Sequence, residues 1–291
     1  MVLILYLINS ICRVRCSREI RGLAFDTADG RGRTIPAAPP SSLEWSLMTD
    51  PAETTSPKFL IDKILPVNRI HLLAGISSAG KSRFAMPALM NWHVCLPVMG
   101  LASWPVPWCV VCADRPLADT HDTLASMGLP LSEVPIIPAF GKYSKPLFEI
   151  MEAIEDGGYQ FVFWEGFDMM VKNPNNPGEV KEFLSRVSAY CEDGLTILGT
   201  VGVAKLKPSE VYQNPRQLVA GSSLWERATS SNLIVIPTKP EDIGDGGRML
   251  HCSLKNSPSF SVYGKFDENG ILVFDNWTNR VMVKSKGRYE L

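Results

Sequence analysis

Eight residues constrain this chain more than any other feature: Gly75-Ile76-Ser77-Ser78-Ala79-Gly80-Lys81-Ser82, placed between the apolar run 70–74 and the helical stretch 81–92. Glycines at both ends of such a loop let the backbone turn tightly between a strand and a helix. Consecutive N–H groups and the helix N-terminus then converge on one point. That row of donors suits a chain of phosphates, with Lys81 reaching the outer ones and Ser82 offering a hydroxyl to a metal. The spacing G-x-x-x-x-G-K-[ST] therefore predicts a nucleoside-triphosphate site whose occupants are ATP and Mg2+; a plain Gly-Ser turn is the alternative.

The surrounding pattern agrees. Short apolar β-rich runs at 70–74, 108–113, 134–137, 161–164, 196–200 and 233–236 alternate with helical stretches at 81–92, 117–127, 147–154 and 179–191. Runs apolar on both faces belong to a sheet covered by helices on both sides, and the alternation gives βαβ units with parallel strands. Pro87 should kink the first helix or shift its start. After Pro237 the runs 249–254, 261–266 and 271–274 alternate with turn signals and suggest an antiparallel meander on the same sheet. The expected class is α/β, a mostly parallel central sheet flanked by helices with a C-terminal antiparallel extension.

Residues 58–279 form the expected catalytic domain. Residues 1–57 read as a disordered leader and linker: the opening run MVLILYLINSIC is too short to span a bilayer, its basic residues follow it, and the stretch to Pro57 is rich in Gly, Pro, Ala, Ser and Thr. Met48 is a candidate true start. Residues 280–291 form a basic tail carrying Arg280, Lys284, Lys286 and Arg288, read as a solvated end.

Twenty-nine basic against thirty acidic residues give a net charge of −1, which excludes the global positive field of many duplex-DNA binders and leaves local patches or assembled subunits. Seven scattered cysteines do not make a disulfide framework and fit a reducing cytoplasm without membrane attachment. Cys109-x-x-Cys112 has no second pair at metal spacing, so both are read as buried strand residues.

Two apolar strands end in acids. Glu165 closes the run 160–164, with Asp168 three residues on; both join Ser82 as candidate metal-side groups, on a strand placed beside the P-loop strand. Asp114 follows the run 108–113 and is the candidate base for the lytic water, the alternative being an N-cap of the helix near Leu117. Arg115 is expected to pair with Asp114 or Asp119.

In this order the motifs resemble the RecA-like P-loop ATPases, and within them the RepA-like hexameric replicative helicases, the AAA_25 group of plasmids and phages. The matching pieces are Leu72-Leu73-Ala74-Gly75 into the P-loop, the strands ending at Asp114 and Glu165, the stretch 197–205 and the stretch 216–223. What the resemblance implies is an ATPase acting between subunits of a homo-oligomeric ring, hexameric in that group, on single-stranded DNA in replication or recombination. By position it makes Asp114 the catalytic acid, Glu165 the second-motif acid and Lys205 the basic residue after the sensor strand. It looks for an arginine finger at Arg216 or Arg227. Three positions depart from the family: Asp replaces Glu at 114, Glu replaces Asp at 165, and no His stands near Gly202. A shorter carboxylate at 114 must sit closer to the water. Two further readings stay open, a ring-forming regulatory ATPase without motor activity and a small-molecule kinase, although no arginine-bearing lid lies between Glu165 and Thr196.

Overall fold

The computed structural model describes residues 59–76, 79–93, 96–129, 132, 134–140, 145–203, 219, 223–238, 246–255, 258–275 and 281–282, all within the unit Phe59–Leu291. A short antiparallel pair, β1 (Phe59–Ile61) and β2 (Leu65–Pro66), leads in. Six strands then run parallel: β3 (Ile70–Gly75), β4 (Trp108–Cys112), β5 (Ile136–Pro138), β6 (Phe161–Glu165), β7 (Thr196–Val201) and β8 (Ser231–Pro237). Their order across the sheet is β5-β4-β6-β7-β3-β8. From β8 the sheet continues antiparallel through β9 (Arg248–Leu254), β10 (Phe260–Phe266) and β11 (Leu272–Phe274), and β12 (Val281–Met282) also pairs with β10. The C-terminal meander is therefore part of the main sheet, as its alternation predicts.

β3, β4, β6, β7 and β8 are buried at every position. Alternate residues feed two apolar layers: Val110, Phe161 and Phe163 on one face, Val111, Val162 and Trp164 on the other. Those layers are the helices' side of the core: α1 (Lys81–His93), α2 (Leu117–Ser126), α3 (Leu147–Asp156), α4 (Pro177–Glu192) and the short α5 (Leu224–Ala228). The same alternation splits Cys109 from Cys112, which belong to opposite layers. Both are free and buried, and burial raises each thiol to about 12. They form neither a metal pair nor a redox pair.

Some boundaries differ from expectation for identifiable reasons. α1 begins at Lys81 with Pro87 inside it, so the proline does not shift the start. α4 begins two residues before 179, because Asn176 caps it, accepting from Gly178 N at 2.9 Å, and Pro177 occupies a first-turn position where no N–H is needed. β8 begins two residues before 233 because polar Ser231 and Asn232 are buried with partners: Ser231 Oγ donates to Ile64 O at 2.7 Å and Thr229 Oγ1 donates to Asn232 Oδ1 at 3.0 Å. Strand order brings the largest correction. β6 is not beside β3; β7 lies between them, and β4 is a further strand away.

His71, on β3, is fully buried; its Nε2 meets Pro66 O at 2.8 Å while Nδ1 has no hydrogen-bond partner. Burial depresses its pKa from 6.5 to about 4. The unfolded chain thus binds a proton in this window and the folded one does not. His71 therefore contributes stability that is present above pH 6.5 and is lost as pH falls toward 4, by up to about 3 kcal/mol. His71→Gln, which keeps a donor for Pro66 O without an ionisable group, should lose less stability than the parent between pH 7 and pH 4.5 in urea unfolding. Equal losses would show that another group sets the acid sensitivity.

Candidate functional site

The C-terminal ends of the parallel strands share one edge of the sheet, and the chemistry gathers there. Gly75 ends β3 and Gly80 precedes α1 with φ at 97°. A Cβ on Gly80 would stand 2.9 Å from Phe266 Cζ and 3.0 Å from Leu272 Cδ2, so only glycine admits both this turn and the hairpin β10–β11 packed on it. The buried Arg248 of β9 supports the loop from the same side: its Nε donates to Ala79 O at 3.1 Å, and its guanidinium lies 4.9 Å from the Phe266 ring centroid. Lys81 Nζ donates to Gly75 O at 2.8 Å and Ile76 O at 3.2 Å, which places it over the loop. Burial lowers its pKa, while the charges of Asp168 and Asp114 oppose that and favour the ammonium. Ser77 and Ser78 lie outside the described residues.

Beside the loop, Ser82 Oγ donates to Glu165 Oε1. Glu165 is buried at 1% exposure at the end of β6, one strand further from β3 than expected, yet its longer side chain reaches α1. Arg115 joins them: its Nη2 lies 3.3 Å from both Ser82 Oγ and Glu165 Oε1, and its Nε lies 3.3 Å from Asp114 Oδ1. Burial raises the Glu165 pKa, against the lowering effects of Arg115 and the Ser82 hydroxyl. Cys112 Sγ approaches its other oxygen at 3.9 Å.

Asp114 follows β4 at the mouth of the cleft. It does not cap α2, whose N-cap is Pro116 without a side-chain hydrogen bond. Gly166 fixes its position: at φ 70° it brings the end of β6 so close that a Cβ would meet Asp114 Cβ at 2.6 Å and Asp114 N at 2.7 Å. Gly166 N donates to Thr200 Oγ1 at 2.8 Å, tying the ends of β6 and β7 together. Asp168 sits on the 3-10 turn Phe167–Met170, which is anchored by Phe167 packing on Trp164, Phe183 and Trp225 with centroids 4.9–5.8 Å apart. Its Oδ2 accepts from Gly202 N at 2.9 Å, and burial raises its pKa. Gly166→Ala combines a left-handed backbone with two overlaps and is expected to destabilise the fold by about 1–3 kcal/mol and to displace Asp114. Thermal melting and turnover measure the two effects; a variant that melts and turns over like the parent would show that Gly166 does not set the Asp114 position.

Of these groups Lys81, Ser82, Asp114 and Arg115 line a cleft of about 930 Å³ that runs past Thr200 to Arg83 and Gly270, with Glu165 buried beneath it. Arg83 Nη1 donates to Gly270 O at 2.9 Å, closing its far end. Among the described residues no group of three or more His, Cys, Asp and Glu is arranged to hold a metal. A hydroxyl and one carboxylate in contact fit Mg2+ that arrives with phosphates and keeps several waters. The donors of Gly80 and Lys81 at the start of α1 fit the phosphates.

A KaiC-like protein from the hyperthermophilic archaeon Pyrococcus horikoshii OT3 superposes on this chain with a TM-score of 0.54 at 14% identity, over 74% of this chain and 93% of that one. The chain has a RecA-like α/β fold. No family model matches it, and no curated protein matches it in sequence. Among the described residues no helix is long and apolar enough to cross a membrane.

Of the candidate residues, the structure brings together Lys81, Ser82, Asp114 and Glu165. Asp168 stands close enough for its charge to act on Lys81, but it holds Gly202. Arg227 is exposed on α5 and does not line the cleft. Lys205 and Arg216 lie outside the described residues. Sequence reasoning missed Thr200, Arg83 and Arg248, and it limited Arg115 to an acid partner nearby. A charged residue opening a strand that is buried at all but its last position was the one available signal for Arg248.

Proposed function

We propose that this chain binds ATP with Mg2+ and hydrolyses it, as a RecA-like ATPase of the RepA-like kind that works as a ring on single-stranded DNA. The observation that supports hydrolysis is the contact of Ser82 with Glu165 at the P-loop, with Asp114 fixed by Gly166 across the same cleft. Lys81 and the α1 N-terminus would hold the β- and γ-phosphates, Ser82 and Glu165 the metal and its waters, and Asp114 the attacking water. Mg2+, when bound there, would neutralise the negative charge that develops on the phosphates.

Ring assembly rests on different features. The cleft is open at Asp114, where transition-state charge is commonly met by an arginine from another molecule. Arg227 is exposed, so a neighbour's cleft can reach it. The polar segment 205–223 carries Pro208 and Pro215 and the basic residues Lys205, Lys207 and Arg216; if the ring is hexameric, six copies of these charges would give a basic channel lining although each chain is nearly neutral.

ATPase rates with and without single-stranded DNA, with mass measured beside an ATP analogue, test the reading. The expected outcome is a ring whose turnover DNA stimulates several-fold and salt suppresses. Mixing Arg227→Ala with Lys81→Ala should restore part of the activity that each lacks. A ring with DNA-independent turnover would favour the regulatory ATPase, and a chain that stays monomeric would remove the ring altogether.

A further inference from the structure

Arg115 makes more contacts in the candidate site than any acid there. Its Nη2 lies 3.3 Å from Ser82 Oγ and 3.3 Å from Glu165 Oε1, the two oxygens that would face a metal. Its Nε lies 3.3 Å from Asp114 Oδ1, and its Nη1 3.4 Å from Thr123 Oγ1 of α2. One planar fork therefore connects α1, α2 and the ends of β4 and β6. Lysine, a point charge on a flexible stem, cannot make these contacts together.

We propose that Arg115 is a positioning residue that competes with the metal: its guanidinium holds Ser82 and Glu165 in place, and Mg2+ binds with its nucleotide only by displacing Nη2 from those oxygens. This rests on the reading of Ser82 and Glu165 as the metal side of a nucleotide site. A guanidinium within reach of both oxygens sets a positive charge beside any metal they hold, and like charges this close oppose each other's binding. Mg2+ demands near-ideal octahedral ligation at about 2.1 Å, and contacts of 3.3 Å to a like-charged guanidinium are the ones that give way. Desolvation points the same way. Glu165 is nearly inaccessible, with a side chain 2% exposed, whereas Arg115 is 29% exposed and can withdraw into the cleft it lines. The contacts to Asp114 and Thr123 leave the departing Nη2 tethered beside Asp114, so Arg115 remains in the site after it yields the metal position. Arg115 thus sets the magnesium concentration at which the site closes around its nucleotide.

The test reads metal binding, not turnover. A fluorescent ADP analogue is bound to the full chain at saturation and Mg2+ is titrated; Mn2+ in place of Mg2+ gives a second, independent midpoint by electron paramagnetic resonance, and each variant is compared with the parent for the same metal. Arg115→Ala should lower the midpoint about tenfold, the factor that corresponds to one charge-assisted hydrogen bond. Arg115→Lys, which keeps the charge but loses the fork, should shift it in the same direction by less, and it carries the test if the alanine variant does not fold. A role confined to the fold would move melting temperature and leave the metal midpoint alone. An unchanged or raised midpoint in a folded variant overturns the proposal while leaving the nucleotide site intact. If the parent chain binds no ADP analogue at any metal concentration, the nucleotide reading fails, and the proposal with it.

Discussion

Lys81→Ala is expected to abolish nucleotide turnover, by about 100-fold or more, and to weaken nucleotide binding severely while the fold persists. Removing one preorganised donor from developing oxyanion charge typically costs that much, and Lys81 adds a full charge. Its Nζ is already aimed at the loop through Gly75 O and Ile76 O, where the phosphates would pass, so little reorganisation precedes binding. The folded state loses less. Those two hydrogen bonds contribute about 1 kcal/mol each, and alanine is a better helix former than lysine at the start of α1. Calorimetric titration with ATP and far-UV circular dichroism on the same sample separate the outcomes. A folded Lys81→Ala protein with parental affinity and rate would refute the phosphate site.

The elements that sequence made legible are those with a local physical cause. Runs such as 161–164 are apolar on both faces because helices cover the sheet on both sides, and their shortness and their Val and aromatic content separate them from buried helix segments. Glycine spacing announced the P-loop, since the turn itself needs glycine. What escaped has no local signature. Ser231 and Asn232 look like a turn until their partners Ile64 O and Thr229 are known. The insertion of β7 between β3 and β6 is a property of pairing, not of any one strand. The meeting of residues 82, 115 and 165 likewise joins three separate stretches of chain. Glu165 was found as a strand-terminal acid, but its partners Ser82 and Arg115 become visible only in the folded chain.

Replacing Asp114 with Asn should leave nucleotide affinity within about threefold and lower hydrolysis by about 10²- to 10⁴-fold, the usual contribution of a positioned general base. Asn has the shape of Asp and keeps an oxygen for Arg115 Nε, so the geometry around Gly166 survives. It cannot accept a proton from water. The capping alternative predicts the reverse pattern, a loss of stability with little change in rate, and α2 does not support it because Pro116 is its N-cap. Glu165→Gln is the informative comparison. Glu165 is buried against Ser82 and Arg115, so its amide should raise the metal requirement as well as slow turnover, whereas Asp114→Asn should slow turnover alone. Single-turnover hydrolysis at saturating Mg2+, with nucleotide affinity measured alongside, distinguishes the two carboxylates. Parental single-turnover rates in Asp114→Asn would assign the base to another group and make Asp114 the surface partner of Arg115.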